Sequence, residues 1–399
     1  MTFNFDFQWT SLVVFLILMS IVIYRHKKKL EIQKMIFPVL YAGLFRTGFG
    51  LKFMENFSKK QKELVKFLGL CGIGFGFAGM IFMFVSLIQT VVMIVKTPTM
   101  GSGVALILPQ TNIPGIGFLP FWYWLIALFV IVLIHEFSHG IVAKANGVKI
   151  KNSGLGFFAF FIPIVPLAFV EPDEKAMREA PDHVKYSVFA AGPFSNLLTA
   201  LVVLLMFMVF FLPMDSVLTE KDGLSFSSIN ESYPSAILPE NFTLRELNGD
   251  EIVDLSSFVS KMQLVGPGDS LMLGDGTNSY NLTVTVNPDD ENKAFIGVTN
   301  FVNEVKIRDG VNVIFYNIYK WFRDLIKIIG IFSFLIGLVN LLPLGPVDGG
   351  QMVSTLFKRI FKNEKTAQKR FVQISLITLL LILLSMFYPA LLDLARSIF

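Results

Sequence analysis

Apolar runs separated by short charged stretches set the pattern of this chain. Runs at 9–24, 67–95, 121–145, 187–212, 328–342 and 371–392 predict about six membrane-crossing helices, since a crossing takes about 20 predominantly apolar residues. The run at 328–342 is short and is stopped by Pro343. The first run ends in Arg25-His26-Lys27-Lys28-Lys29 and shows no small-residue cleavage site, so it reads as an anchor. Residues 52–66 are lysine-rich and amphipathic and suit a helix lying on the membrane surface. The stretch 96–120 carries Gly and Pro and reads as a loop. Residues 154–170 are apolar but broken by Pro163 and Pro166, and predict a β-hairpin or re-entrant loop embedded in the membrane. The pattern then turns polar. From 213 to about 303, short alternating strands such as Leu282-Thr-Val-Thr-Val286 lie between Asn, Asp, Ser and Gly clusters, predicting a soluble domain. Residues 305–327 set Tyr316, Tyr319 and Trp321 among Lys320, Arg323 and Lys327, the mark of an interfacial helix.

These readings divide the 399 residues into an N-terminal membrane region at 1–120, a first part of a membrane core at 121–212, an inserted domain at 213–304, and a second core part at 305–399. Composition agrees. Hydrophobic residues make up 53% and charged residues 16%, against about 25% charged in a soluble domain. The expected fold is a polytopic α-helical membrane protein in contact with the lipid bilayer, with no nucleic-acid partner. Net charge is +4, and its distribution matters more than its sum. Basic clusters at 25–29, 52–66, 144–151 and 358–370 fall on one side if six spans alternate, which places them in the cytosol. The inserted domain is then extracytoplasmic. The single cysteine, Cys71, rules out an intrachain disulfide and a thiolate zinc site.

Candidate chemistry lies in the third span. His135 and His139 are four residues apart, so both imidazoles share one helix face and can bind one zinc ion. Glu136 is placed to act as general base on a water that zinc acidifies. Ionisable groups at membrane depth cost about 2–3 kcal/mol each, which makes them functional by default. A third ligand is needed. Asp348 is the best candidate, because Pro343, Gly345 and Pro346 break the helix before it, and unwound backbone within a membrane lines sites or cavities. Two alternatives stay open: Asp348 caps the following helix, or Glu171 is the third ligand.

Together these residues resemble the site-2 protease family of intramembrane zinc metalloproteases, peptidase family M50. His135-Glu136-Phe137-Ser138-His139 matches its first motif and Asn340-x-x-Pro343-x-x-x-x-Asp348-Gly349 its second. Gly192-Pro193-Phe194-Ser195-Asn196 looks like a third. The resemblance implies that His135, His139 and Asp348 hold one Zn2+ per chain and that Glu136 is the catalytic base. It further implies that Asn196 and Asn340 position substrate or stabilise the oxyanion, although an intramembrane asparagine also serves to bridge helices. The implied substrates are transmembrane proteins, cut in regulated intramembrane proteolysis. Residues 154–174 resemble the family's membrane-embedded hairpin, whose edge strand can pair with an unwound substrate. The domain at 213–303 resembles an α/β PDZ domain through Leu247-Asn248-Gly249-Asp250 and Val265-Gly266-Pro-Gly268-Asp269. It lacks an evident carboxylate-binding loop between 213 and 235, so a size filter stands beside peptide binding as its role. The sequons at Asn230, Asn241 and Asn281 agree with an extracytoplasmic position. The expected setting is a prokaryotic cell membrane, with the active site toward the cytosol.

Two other function classes compete. A carrier would use the broken helix near Pro343 to bind an ion. An inactive homologue would act as a scaffold, but none of the expected catalytic residues is missing.

Overall fold

A computed structural model describes residues 7–36, 40–97, 104, 107–113, 117–160, 162–229, 231–239, 242–288 and 290–398. Sequons Asn230 and Asn241 lie outside them. Among the described residues, five helical stretches are long and apolar enough to cross a membrane: Thr10–Lys29, Lys62–Lys96, Phe121–Ala145, Asp182–Leu218 and Glu364–Tyr388. A helix is the structure such runs take in lipid, because it satisfies every backbone polar group within one segment. The protein is thus a polytopic helical membrane protein. The run at 328–342 departs from the six-span pattern. It forms the apolar half of a longer helix, Val313–Val339, whose other half carries Lys320, Arg323, Asp324 and Lys327. What sets this helix apart is the shortness of its charge-free apolar stretch, 328–339, which is too short for a crossing.

The chain divides into two compact units, one of residues 1–205 with 324–399 and one of residues 206–323. In the first, helix Phe121–Ala145 is central. Phe121, Trp124, Leu125 and Ile131 pack with Leu325, Ile328, Ile329 and Phe332 in one buried cluster. Val142, Ala143 and Ala145 pack with Val65, Val184, Val188 and Ala191 in another. The helix therefore touches apolar neighbours along its whole length, which explains why its hydrophobic residues show no single face. Tyr186 and Ala190 meet Met80, Met352 and Val353 in a third cluster, which ties helix Asp348–Ile360 to the same bundle.

Four strands complete this unit. Leu30–Ile36, Leu40–Arg46, Ile150–Phe160 and Ile162–Pro172 form an antiparallel sheet in that spatial order. The last two pair with each other across the 154–170 region. The first two were not expected from the pattern: they pair with each other, and Leu40–Arg46 joins the sheet through a partner strand, Ile150–Phe160, more than a hundred residues away. Strand Ile162–Pro172 is an outer strand of the sheet, a place where Pro163 and Pro166 cost no ladder bond on the open side.

The second unit has a core of Leu224, Phe242, Leu244, Leu247, Ile252, Phe258, Leu271, Leu273, Leu282, Val284 and Ile296. Its strands form small sheets, among them Ser270–Gly274 with Ser279–Thr283 and Thr219–Ser228 with Val298–Ile307. The turn at Asn248-Gly249, with φ of 52° and 86°, joins Glu246–Leu247 to Asp250–Glu251, as the Asn-Gly pair leads one to expect. Helix Leu255–Met262 opens on a capping box of Asp254 and Ser257. Lys221 pairs with Asp254, and together with the cap bonds it holds that carboxyl down at about 2. Arg245 grips Asp222 with two nitrogens, at 3.2 and 2.8 Å.

Candidate metal centre

The histidines lie one turn apart on helix Phe121–Ala145, with ring centroids 4.8 Å apart. The third side chain comes from far along the chain. Helix Val313–Val339 ends before Asn340, and the amide of Gly349 bonds back to the Asn340 carbonyl at 2.8 Å, closing the intervening loop on itself. This return is tight. A Cβ on Gly349 would run into the Leu341 and Leu342 carbonyls, so the Asp-Gly pair is required by close backbone approach as well as by turn chemistry. Asp348 is the first residue of helix Asp348–Ile360, and Val347 is its N-cap. The Asp348 carboxylate faces the histidines: Oδ2 lies 3.0 Å from His135 Nε2 and Oδ1 lies 3.4 Å from His139 Nε2.

These three residues can hold a metal ion, their ligand atoms all lying within 4.8 Å of one another. The spacing suits zinc. Ligands at about 2.1 Å in tetrahedral arrangement stand roughly 3.4 Å apart, close to the two separations seen here. The far side of each ring is also engaged. His139 Nδ1 is 2.6 Å from the Val188 carbonyl. A carbonyl only accepts, so Nδ1 carries the hydrogen and Nε2 presents its lone pair toward Asp348. His135 Nδ1 is 3.1 Å from the amide of Asn196.

Glu136 points to the sheet. Its Oε2 accepts a hydrogen bond from the Val170 amide at 3.1 Å. Val170 lies on outer strand Ile162–Pro172, so this N–H is turned away from the neighbouring strand and toward the histidine helix. Glu171, the alternative third ligand, is engaged elsewhere. It pairs with Arg46 at 3.0 Å and accepts from Asn152 at 2.9 Å, and it is absent from the cluster. Asn340 is half-buried at the start of the loop, and its side chain makes no hydrogen bond to the described residues. His26 bonds to the Val22 carbonyl of its own helix, and neither it nor His183 joins the group.

Helix Asp182–Met206 supplies contacts that the sequence pattern did not assign. Pro193 cannot donate to the Phe189 carbonyl, which loosens the turn where the neighbouring Val188 carbonyl meets His139. Gly192 lies against the histidines. A Cβ there would be 2.5 Å from His135 Nε2 and closer still to His139 Nε2. A glycine and a proline side by side in a membrane helix were the available signal, but they did not say which neighbour the bare backbone would meet.

The sequence model of peptidase family M50 matches residues 123–385, well over half of the chain and all of this centre. An uncharacterized protein of Methanocaldococcus jannaschii is 26% identical over 375 residues, covering 91% of this chain and 89% of the relative. With the match running from the paired histidines through Asp348, the chain belongs to peptidase family M50, the site-2 protease family of membrane metallopeptidases.

Proposed function

We propose that this protein is an intramembrane zinc endopeptidase that hydrolyses peptide bonds in or near transmembrane segments, in regulated intramembrane proteolysis. One observation carries the reading: His135, His139 and Asp348 converge in a membrane-length helix bundle, with Glu136 on the same helix turned to the outer strand Ile162–Pro172. Zinc, when bound by these three side chains, supplies Lewis acidity toward the attacking water and the scissile carbonyl. Glu136 takes a proton from that water as its oxygen bonds to the carbonyl carbon, and delivers it to the amide nitrogen as the C–N bond breaks. Asn340, with a free side-chain amide, orients the substrate carbonyl.

The strand edge is the substrate's docking line. A transmembrane helix hides its peptide bonds, so it must unwind before cleavage, and the freed backbone groups then need partners. Ala168 and Val170 share one side of strand Ile162–Pro172, and the Val170 amide marks that side as the one next to Glu136. A substrate strand added there passes the carboxylate. A largely apolar cavity of about 660 Å3, bounded by Phe15, Met19, Leu125, Phe129, Leu155 and Pro166, takes its side chains. The substrates are transmembrane proteins of a prokaryotic cell membrane, the cut lies toward the cytosolic leaflet, and the PDZ-like domain at 213–304 is extracytoplasmic, where it admits proteins whose outer part is already shortened.

Single-span test proteins incubated with the purified enzyme, with and without a zinc chelator, test this proposal. Mass mapping is expected to place the cut within the apolar segment and to find no product under chelation. A cut outside that segment refutes intramembrane cleavage.

A further inference from the structure

Asn196 is fully buried, one turn beyond Gly192 on helix Asp182–Met206. Its Nδ2 stands 3.1 Å from His135 Nδ1, while its Oδ1 is buried and has no hydrogen-bond partner among the described residues. The two ends of an amide have the same outline, so hydrogen-bond chemistry decides which end faces the ring. With Nδ2 toward the ring, His135 Nδ1 has to accept, and its hydrogen then sits on Nε2, where it blocks a metal. With Oδ1 toward the ring, Nδ1–H donates, and the Nε2 lone pair is free beside Asp348.

Resting on the zinc reading above, we propose that Asn196 is a positioning residue whose Oδ1 accepts from His135 Nδ1–H and fixes this ligand in its metal-binding tautomer. The same helix already does this for His139 through the Val188 carbonyl at 2.6 Å. One helix, packed across the histidine helix, therefore sets both rings: a backbone carbonyl serves one and a side-chain oxygen the other. Two further facts separate this role from contact with substrate. The Asn196 side chain has no exposed surface, and its one hydrogen-bond partner among the described residues is the back of a ligand ring, on the side away from Asp348. A Cβ on Gly337 would lie 3.2 Å from the Asn196 Cβ and 3.1 Å from the Pro193 carbonyl, so helix Val313–Val339 passes close to the base of the Asn196 side chain.

The test is the zinc affinity of the full-length protein in detergent, measured by competition with a chelator. Asn196→Leu keeps the volume and removes the acceptor, and zinc binding is expected to weaken by about 10- to 100-fold. Asn196→Asp keeps an acceptor and loses the donor, and it is expected to recover the zinc affinity that the leucine variant loses. An oxyanion role gives a different pattern: both variants lose turnover while binding zinc normally, and that result overturns the proposal. So does equal loss of zinc affinity in the two. A wild-type protein that holds no zinc removed by His135→Ala overturns the underlying zinc reading instead.

Discussion

Replacing Gly192 with alanine sets two physical effects against each other. Glycine inside a helix is about 1 kcal/mol worse than alanine, so propensity alone favours the substitution. The site opposes it. The added Cβ falls 2.5 Å from His135 Nε2 and 2.6 Å from His135 Cε1, where an ordinary contact needs about 3.5 Å. The rings and the helix must therefore part by about 1 Å, and they part at the nitrogens that face the metal. A misplacement of that size costs about 100-fold in rate, or about 2.7 kcal/mol. Because the clash is with the ligand atoms themselves, zinc affinity falls too. The assay pairs zinc content of purified Gly192→Ala with kcat/KM on a single-span substrate and a melting curve of the metal-free protein. The expected outcome is a folded protein that binds zinc poorly and cleaves about 100-fold more slowly. Normal zinc occupancy with a wild-type rate would show that the helix moves freely away from the histidines, and would refute the packing argument.

The other predictions follow from the same geometry. Glu136→Gln keeps the side-chain shape but removes the base, and is expected to retain zinc and lose about 10²- to 10⁴-fold in kcat, read by metal analysis beside cleavage assays. Asp348→Asn is expected to lose zinc while Glu171→Gln keeps it, since Glu171 is bound to Arg46 and Asn152; retained zinc in the Asp348 variant would remove it from the ligand set. In the 206–323 unit, the Asp254 carboxyl is held at about 2 by Lys221 and its cap bonds, below its ordinary value of 3.8. A depressed carboxyl stabilises the fold above its unfolded pKa, and that contribution is lost as pH falls through the folded value. Asp254→Asn keeps the N-cap and loses the charge. Its destabilisation, followed by melting temperature, is expected to be constant above about pH 4 and to vanish toward about pH 2.

Residues whose chemistry is local were legible in the amino-acid pattern. His135, Glu136 and His139 lie within one turn and a half of helix, and their polarity stands out against the apolar run around them. Asp348 was legible for a related reason: the prolines and glycines before it break an apolar segment where a span would otherwise continue. The strands at Leu30–Ile36 and Leu40–Arg46 were not legible, because a short alternating run becomes a strand only when a partner edge is present. Nor did the pattern assign the roles of Gly192 and Val188. A glycine's neighbours and a backbone carbonyl's direction are properties of packing, and no residue type announces them.

By itself, the sequence determined that the chain is a helical membrane protein carrying a histidine pair and a glutamate on one helix. Helical periodicity and the cost of burying charge in lipid are enough for that. Only the tertiary structure decided that Asp348, more than two hundred residues away, meets those histidines while Glu171 does not, and that Asn196 lies behind one ring. Which side chains meet depends on how the loop after Asn340 closes and on how helix Asp182–Met206 packs, and those are set by contacts between segments distant in the chain.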